Sequence, residues 1–298
     1  MCWFMLKRIT GLVVICLFTL PMVAQDKPGT LLWKVTFPGN HQESYVFGTF
    51  HEVSPAFFDS LGNVLDKLRQ SDVLYVERTQ SDATTGTDAA ALLTRNKAGW
   101  HSLLDTGEQR IFEAFVTKAE DTSYYRYSPL VLTLVLFRMY SQQFCDTTER
   151  VSNELMDTHI EQLAILQKIK SLSLDDDQVK ILAGNKPSSG DKTYVAASIH
   201  LMDLMLKEDL SGCNEVADYK NMQLDYAFSQ SPKTDTSILL ERNNKWIAIL
   251  RQAFLKKNCF VAVGFRHLFY KDGIISQLKQ LGFNVTPVNV YKERLPAN

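Results

Sequence analysis

Apolar residues in this chain fall into two kinds of run. Short β-branched runs lie near the two ends, and longer stretches with apolar positions at helical spacing fill the middle. Leu31 to Phe37 and Ser44 to Gly48 predict a hairpin turning at Pro38-Gly39-Asn40. Ser54-Pro55 predicts the start of a helix from about Ala56 to Gln70, with Phe57, Leu61, Val64, Leu65 and Leu68 on one face. Val73-Leu74-Tyr75-Val76 reads as the next strand. Strand, helix, strand in that order predicts a βαβ unit with a parallel pair.

Thr79 to Thr87 is polar and reads as a loop, after which helical patterns dominate from about Ala89 to Phe228. Within them, Pro129 to Phe137 is apolar nearly throughout. It is too short to span a bilayer, and it reads as a buried helix or the floor of a groove. Val151 to Lys168 is amphipathic, and Ile169 to Leu174 reads as a short strand. Asp175-Asp176-Asp177 then suits a helix start, where acids meet the positive end of the dipole. The triplet lacks the alternation of a calcium loop.

Lys186 to Gly190 reads as a loop. Further helices are predicted at about Asp191 to Glu208, Glu215 to Phe228, Thr236 to Lys257 and Asp272 to Leu281, with strands at Cys259 to Gly264 and at the closing Gly282 to Val288. The pattern defines an α/β protein. Its central mixed sheet comes from the N- and C-terminal parts of the chain, and a large, mostly helical middle covers about 89–230.

Composition changes this picture little. At 298 residues and a net charge of -1, the chain carries no basic footprint for nucleic acid. Lys7-Arg8 followed by apolar Ile9 to Val23 reads as a secretory signal peptide over 1–24. That reading predicts a periplasmic or secreted single domain over 25–298 with no stable membrane span after cleavage. Of the cysteines beyond residue 24, Cys145 and Cys213 precede polar stretches and are able to pair, whereas Cys259 opens an apolar strand and reads as a buried thiol.

The candidate chemistry sits at strand ends. Two apolar runs stop at Gly-x-x-His, which places His51 and His267 at the edge of the sheet. Glu77 ends a buried-type strand, where a carboxylate needs a partner or a metal. Together they form a His, His, carboxylate set suited to a catalytic divalent ion. Arg242 and Asn243 lie on the long helix. They are candidates to orient substrate and stabilise an oxyanion, although spacing alone favours a charged helix surface; Trp246, one turn on, is placed to pack over Arg242. No His-Glu-x-x-His, Gly-x-Ser-x-Gly or phosphate loop occurs.

Leu32-Trp33-Lys34-Val35, Phe47-Gly48-Thr49-Phe50-His51, Leu74-Tyr75-Val76-Glu77, Arg242-Asn243-Asn244-Lys245-Trp246 and Val261-Ala262-Val263-Gly264-Phe265-Arg266-His267-Leu268 together resemble the TraB/GumN family, which includes the Tiki proteases. The resemblance implies a fold like that of the erythromycin-esterase-like and ChaN-like proteins. Its Tiki branch implies a metal-dependent peptidase using manganese or cobalt rather than zinc, with a peptide or protein substrate. By position, His51, His267 and Glu77 become the metal and catalytic set, with Arg242 and Asn243 as the helix pair. Arg266 adds positive charge inside the second Gly-x-x-His, for substrate or turned away. The family's Leu-Glu pair falls at Leu172-Ser173, which lacks the acid. A peptide-sequestering protein without catalysis and a metal-free esterase-like hydrolase are the alternatives.

Overall fold

The structure, a computed structural model, describes residues 27–83, 95–148, 154–175, 191–232 and 237–292. The expected signal segment and the loop at 186–190 lie outside them, as does most of the acidic triplet. Among the described residues no helix is long and apolar enough to cross a membrane.

Among the described residues six strands form one mixed sheet: β1 Leu32–Thr36, β2 Ser44–Thr49, β3 Val73–Val76, β4 Lys170–Ser173, β5 Cys259–Gly264 and β6 Asn284–Val288. Their order is β4-β3-β5-β2-β1-β6. The hairpin is present as β1 antiparallel to β2, and β6 pairs antiparallel on the far side of β1. β2 and β3 run the same way, as the βαβ reading requires, but they do not touch. β5 lies between them, parallel to both, with Val46 opposite Val261 on one side and Tyr75 opposite Val261 on the other. β5 is apolar throughout, with Cys259 to Val263 all buried, as suits a strand paired on both edges inside the sheet.

The predicted helix after Ser54 is broken into α1 (Pro55–Ser60) and α2 (Gly62–Arg69). Asn63 is pinned by its backbone N–H to Val290 O at 3.1 Å and by its side chain to Asn289 O, which sets a new axis at Leu61-Gly62. The predicted loop after Thr79 begins instead with a helical turn, Gln80–Ala83. The middle of the chain is largely helical, with α3 (Thr106–Ala119), α4 (Pro129–Tyr140), α5 (Met156–Leu166), α6 (Asp191–Lys207) and α7 (Asn214–Lys220). Then come α8 (Ser237–Phe254) and α9 (Ile274–Gln280). The helix predicted to reach Phe228 stops at Lys220. Met222 turns left-handed at φ 58°, which frees Tyr226 and Phe228 to pack edge-on against Trp33.

Two apolar cores result among the described residues. One surrounds the sheet, and the other joins α3, α4 and α6 through Trp100, Phe112, Leu132, Leu136, Tyr140 and Met202. Phe137 packs against both. The apolar run on α4 is therefore mainly core, with Val131, Leu132 and Leu136 buried, although Leu134 stays 48% exposed. Cys145 and Cys213 form a disulfide that ties the end of α4 to the start of α7, and Cys259 is a free, buried thiol. Replacing both bridged cysteines with serine is expected to lower stability by about 2–4 kcal/mol. The urea midpoint of the double variant against the oxidised parent measures this.

Candidate functional site

β2, β3 and β5 are parallel and end at the same edge of the sheet, so the residues after them meet there. His51 follows β2, Glu77 follows β3, and His267 follows β5 within the helical turn Phe265–Leu268. Gly264 stands at their centre. A Cβ on Gly264 would lie 3.0 Å from Glu77 Oε1, 3.7 Å from His267 Cδ2 and 3.9 Å from His51 Nε2. The absence of a side chain there lets all three groups approach one point. The Gly264 N–H also donates to Glu77 Oε1 at 2.7 Å.

Arg242 reaches this edge from α8 and is buried, not on a charged helix surface. Its Nε donates to Asp175 Oδ2 at 2.9 Å, and its Nη2 bridges Asp175 and Glu77 Oε2. Nη1 points to His267 Nε2 at 3.1 Å. Trp246, one turn along α8, packs under the guanidinium at 4.5 Å, lies tilted against the His267 ring at 4.3 Å and donates its Nε1–H to Asp175 Oδ1 at 2.7 Å. A buried cation is thus balanced by two buried carboxylates in fork geometry.

Each histidine is clamped at Nδ1. His267 Nδ1 donates to Asn243 Oδ1 at 2.7 Å, while the Asn243 amide donates to the carbonyls of His267 and Asp272. Asn243 therefore orients His267, and its N–H groups are spent on backbone rather than offered to an oxyanion. His51 Nδ1 pairs with Asp157 Oδ2 at the start of α5, and Thr49 Oγ1 donates to Asp157 Oδ1 at 2.7 Å. Arg266 is exposed and turned outward onto Glu215 at 2.5 Å, leaving the buried network to Arg242.

These surroundings split the protonation states. Burial would raise the Glu77 carboxyl, but its neighbours His267, Arg242 and His51, with the Gly264 N–H, outweigh it and hold it well below the usual carboxylate range. Burial, with Arg242 and His51 nearby, pushes His267 down to about 3, so its ring is neutral. At His51 burial pulls downward, yet Asp157, Glu77 and Glu52 overcome it and push the ring up to about 10. The His51 side chain is 38% exposed, so water screens part of that pull.

The stability expected from these groups has two limbs. His267 is depressed, so its contribution is complete above the unfolded value of about 6.5 and is lost as pH falls toward 3. Glu77 adds to the same acid limb. His51 is raised, so its contribution is complete below about 6.5 and is lost as pH rises toward 10. Urea midpoints from pH 4 to pH 10 are expected to peak near neutrality; a flat profile would contradict this assignment.

Three of these contacts lie outside the reach of spacing alone. Asp157 sits inside an ordinary amphipathic stretch, and nothing in the sequence ties it to His51. Asp175, read as a helix-start acid, is buried and lies at the heart of the network. It follows Leu174 directly, and a usable signal was present: an acid straight after an apolar residue at a strand end, as in Val76-Glu77. Thr49 reads simply as a strand residue.

The donor types suit a divalent ion: two imidazoles, each with Nδ1 held by an oxygen, and one carboxylate. Among the described residues no three ligating groups are gathered tightly enough to hold one. Arg242 hydrogen-bonds both His267 Nε2 and Glu77 Oε2, so binding an ion through His267 Nε2 would require Nη1 to leave it.

Fold and site define a class of α/β proteins in which strand-end histidines and a strand-end acid, drawn from both ends of the chain, converge on one sheet edge. The chain belongs to the TraB/PrgY/gumN family, whose model matches residues 31–287. No curated protein and no solved structure matches it.

Proposed function

We propose that this protein is a metal-dependent hydrolase acting on a peptide or protein, with manganese or cobalt as its ion. The observation that carries the reading is the meeting of His51, His267 and Glu77 around Gly264. His51 Nε2, His267 Nε2 and Glu77 Oε1 would hold the ion. Such an ion would supply a bound water of lowered pKa and polarisation of the scissile carbonyl.

The chain's own residues do the rest. Arg242 keeps Glu77 ionised and hydrogen-bonded in a buried setting. Asn243 fixes the His267 ring. His51, the most exposed of the three, is the group that meets substrate and solvent. Because His51 must give up its second proton to act as a ligand, affinity for manganese is expected to rise with pH across the neutral range.

A second reading is favoured by one observation: Arg242 already supplies positive charge between Glu77 and His267. In that reading His51 acts as a metal-free acid-base group, or the site binds peptide without cutting it. The deciding experiment is ion content and peptide turnover of the purified protein beside His51→Ala and Glu77→Gln. Stoichiometric manganese or cobalt in the parent, with turnover at least about 100-fold lower in both variants, supports the ion-dependent hydrolase. Turnover that survives chelation moves the reading to the metal-free hydrolase, and binding without turnover moves it to sequestration.

A further inference from the structure

His51 Nε2 is useful, as ligand or as base, only while it carries a lone pair aimed at the site. An imidazole with one hydrogen holds it on either nitrogen, and the partner of the other nitrogen decides which. We propose that Asp157 is the positioning residue of His51: it takes the Nδ1 hydrogen and so leaves Nε2 as the nitrogen that faces Glu77 and Gly264. The proposal rests on His51 being a working group of the site, as argued above.

The geometry is specific. Both oxygens of the Asp157 carboxylate are committed, Oδ2 to His51 Nδ1 and Oδ1 to Thr49 Oγ1. Thr49 is the last residue of β2, two before His51, and is fully buried. The carboxylate therefore grips the strand end and the ring together, from the first turn of α5. His51 Nε2 has no hydrogen-bond partner among the described residues, so nothing else sets the ring's orientation from that side. Asn243 performs the matching task on His267 with a neutral amide, using its own N–H groups to hold the carbonyls of His267 and Asp272. The two Gly-x-x-His rings are thus oriented by different chemistry, a carboxylate on one and an amide on the other.

The test uses the full chain with 15N-labelled histidine, free of added metal, and observes the imidazole N–H protons by NMR. The expected spectrum contains a far-downfield, slowly exchanging Nδ1–H resonance that His51→Ala removes. Asp157→Asn is expected to abolish it or to speed its exchange at least tenfold, and Asp157→Glu to restore it in part. A parent whose His51 lacks a protected Nδ1–H overturns the proposal. So does an Asp157→Asn protein that keeps the resonance, even at a reduced melting temperature. If Asp157→Asn does not fold, the parent spectrum and Thr49→Val, expected to speed exchange, decide instead. A parent that binds no manganese counts against the ion-dependent hydrolase, while the resonance still decides Asp157.

Discussion

Arg242→Ala is expected to lower the unfolding free energy by about 3–5 kcal/mol, the cost of leaving buried carboxylates without their cation. Glu77 and Asp175 are both buried, and Arg242 is the cation hydrogen-bonded to each of them. Trp246 would also lose the guanidinium packed over its ring. Arg242→Lys is expected to recover only part of the loss, because a single ammonium cannot reach Asp175, Glu77 and His267 in a fork. Adding Glu77→Gln and Asp175→Asn to the alanine variant should restore stability, since it removes the stranded charges. Urea unfolding of the series measures each step. A loss below about 1 kcal/mol for Arg242→Ala would mean that water, not the guanidinium, balances these acids.

Gly273→Ala carries the second large effect. A Cβ there would lie 2.2 Å from the carbonyl oxygen of Phe269 and 2.6 Å from that of Leu268. Both are backbone atoms, so the turn itself would have to open. The cost is expected at the upper end for overpacking, about 3 kcal/mol, or roughly 6–12 °C in melting temperature for a chain of this size. The turn also carries the Asp272 carbonyl that holds Asn243, so the His267 clamp would loosen with it. A variant with the parent's melting temperature would show that residues 268–273 have another arrangement open to them.

Much of this architecture was legible in the residues. Apolar, β-branched runs located the strands with buried faces, while β4 (Lys170–Ser173), exposed or half-buried along its length, was marked chiefly by the flanking Ile169 and Leu174. The two Gly-x-x-His turns and Glu77 were legible because parallel strands bring their ends to one edge. Which strands would be neighbours was not legible, since β2, β3 and β5 all read as buried apolar strands and nothing local encodes which of them pair. The break at Leu61 was hidden because its cause, the pairing of Asn63 with residues 289 and 290, is distant in sequence. The clamps on the histidines were hidden in the same way. Asp157 lies more than 100 positions from His51, and no local periodicity encodes that contact.

The central place of β5 also sets the order in which the molecule can be finished. β2 and β3 emerge early from the ribosome, yet the strand that joins them is more than 180 residues further on. Until it arrives, two apolar strands have open edges facing each other across a gap, the kind of edge that invites pairing with another chain. The sheet is then closed by β6, which returns to the first strand made. A topology of such high contact order folds slowly, and only after nearly the whole chain is available. Chains cut short before residue 264 are therefore expected to aggregate rather than to fold in part.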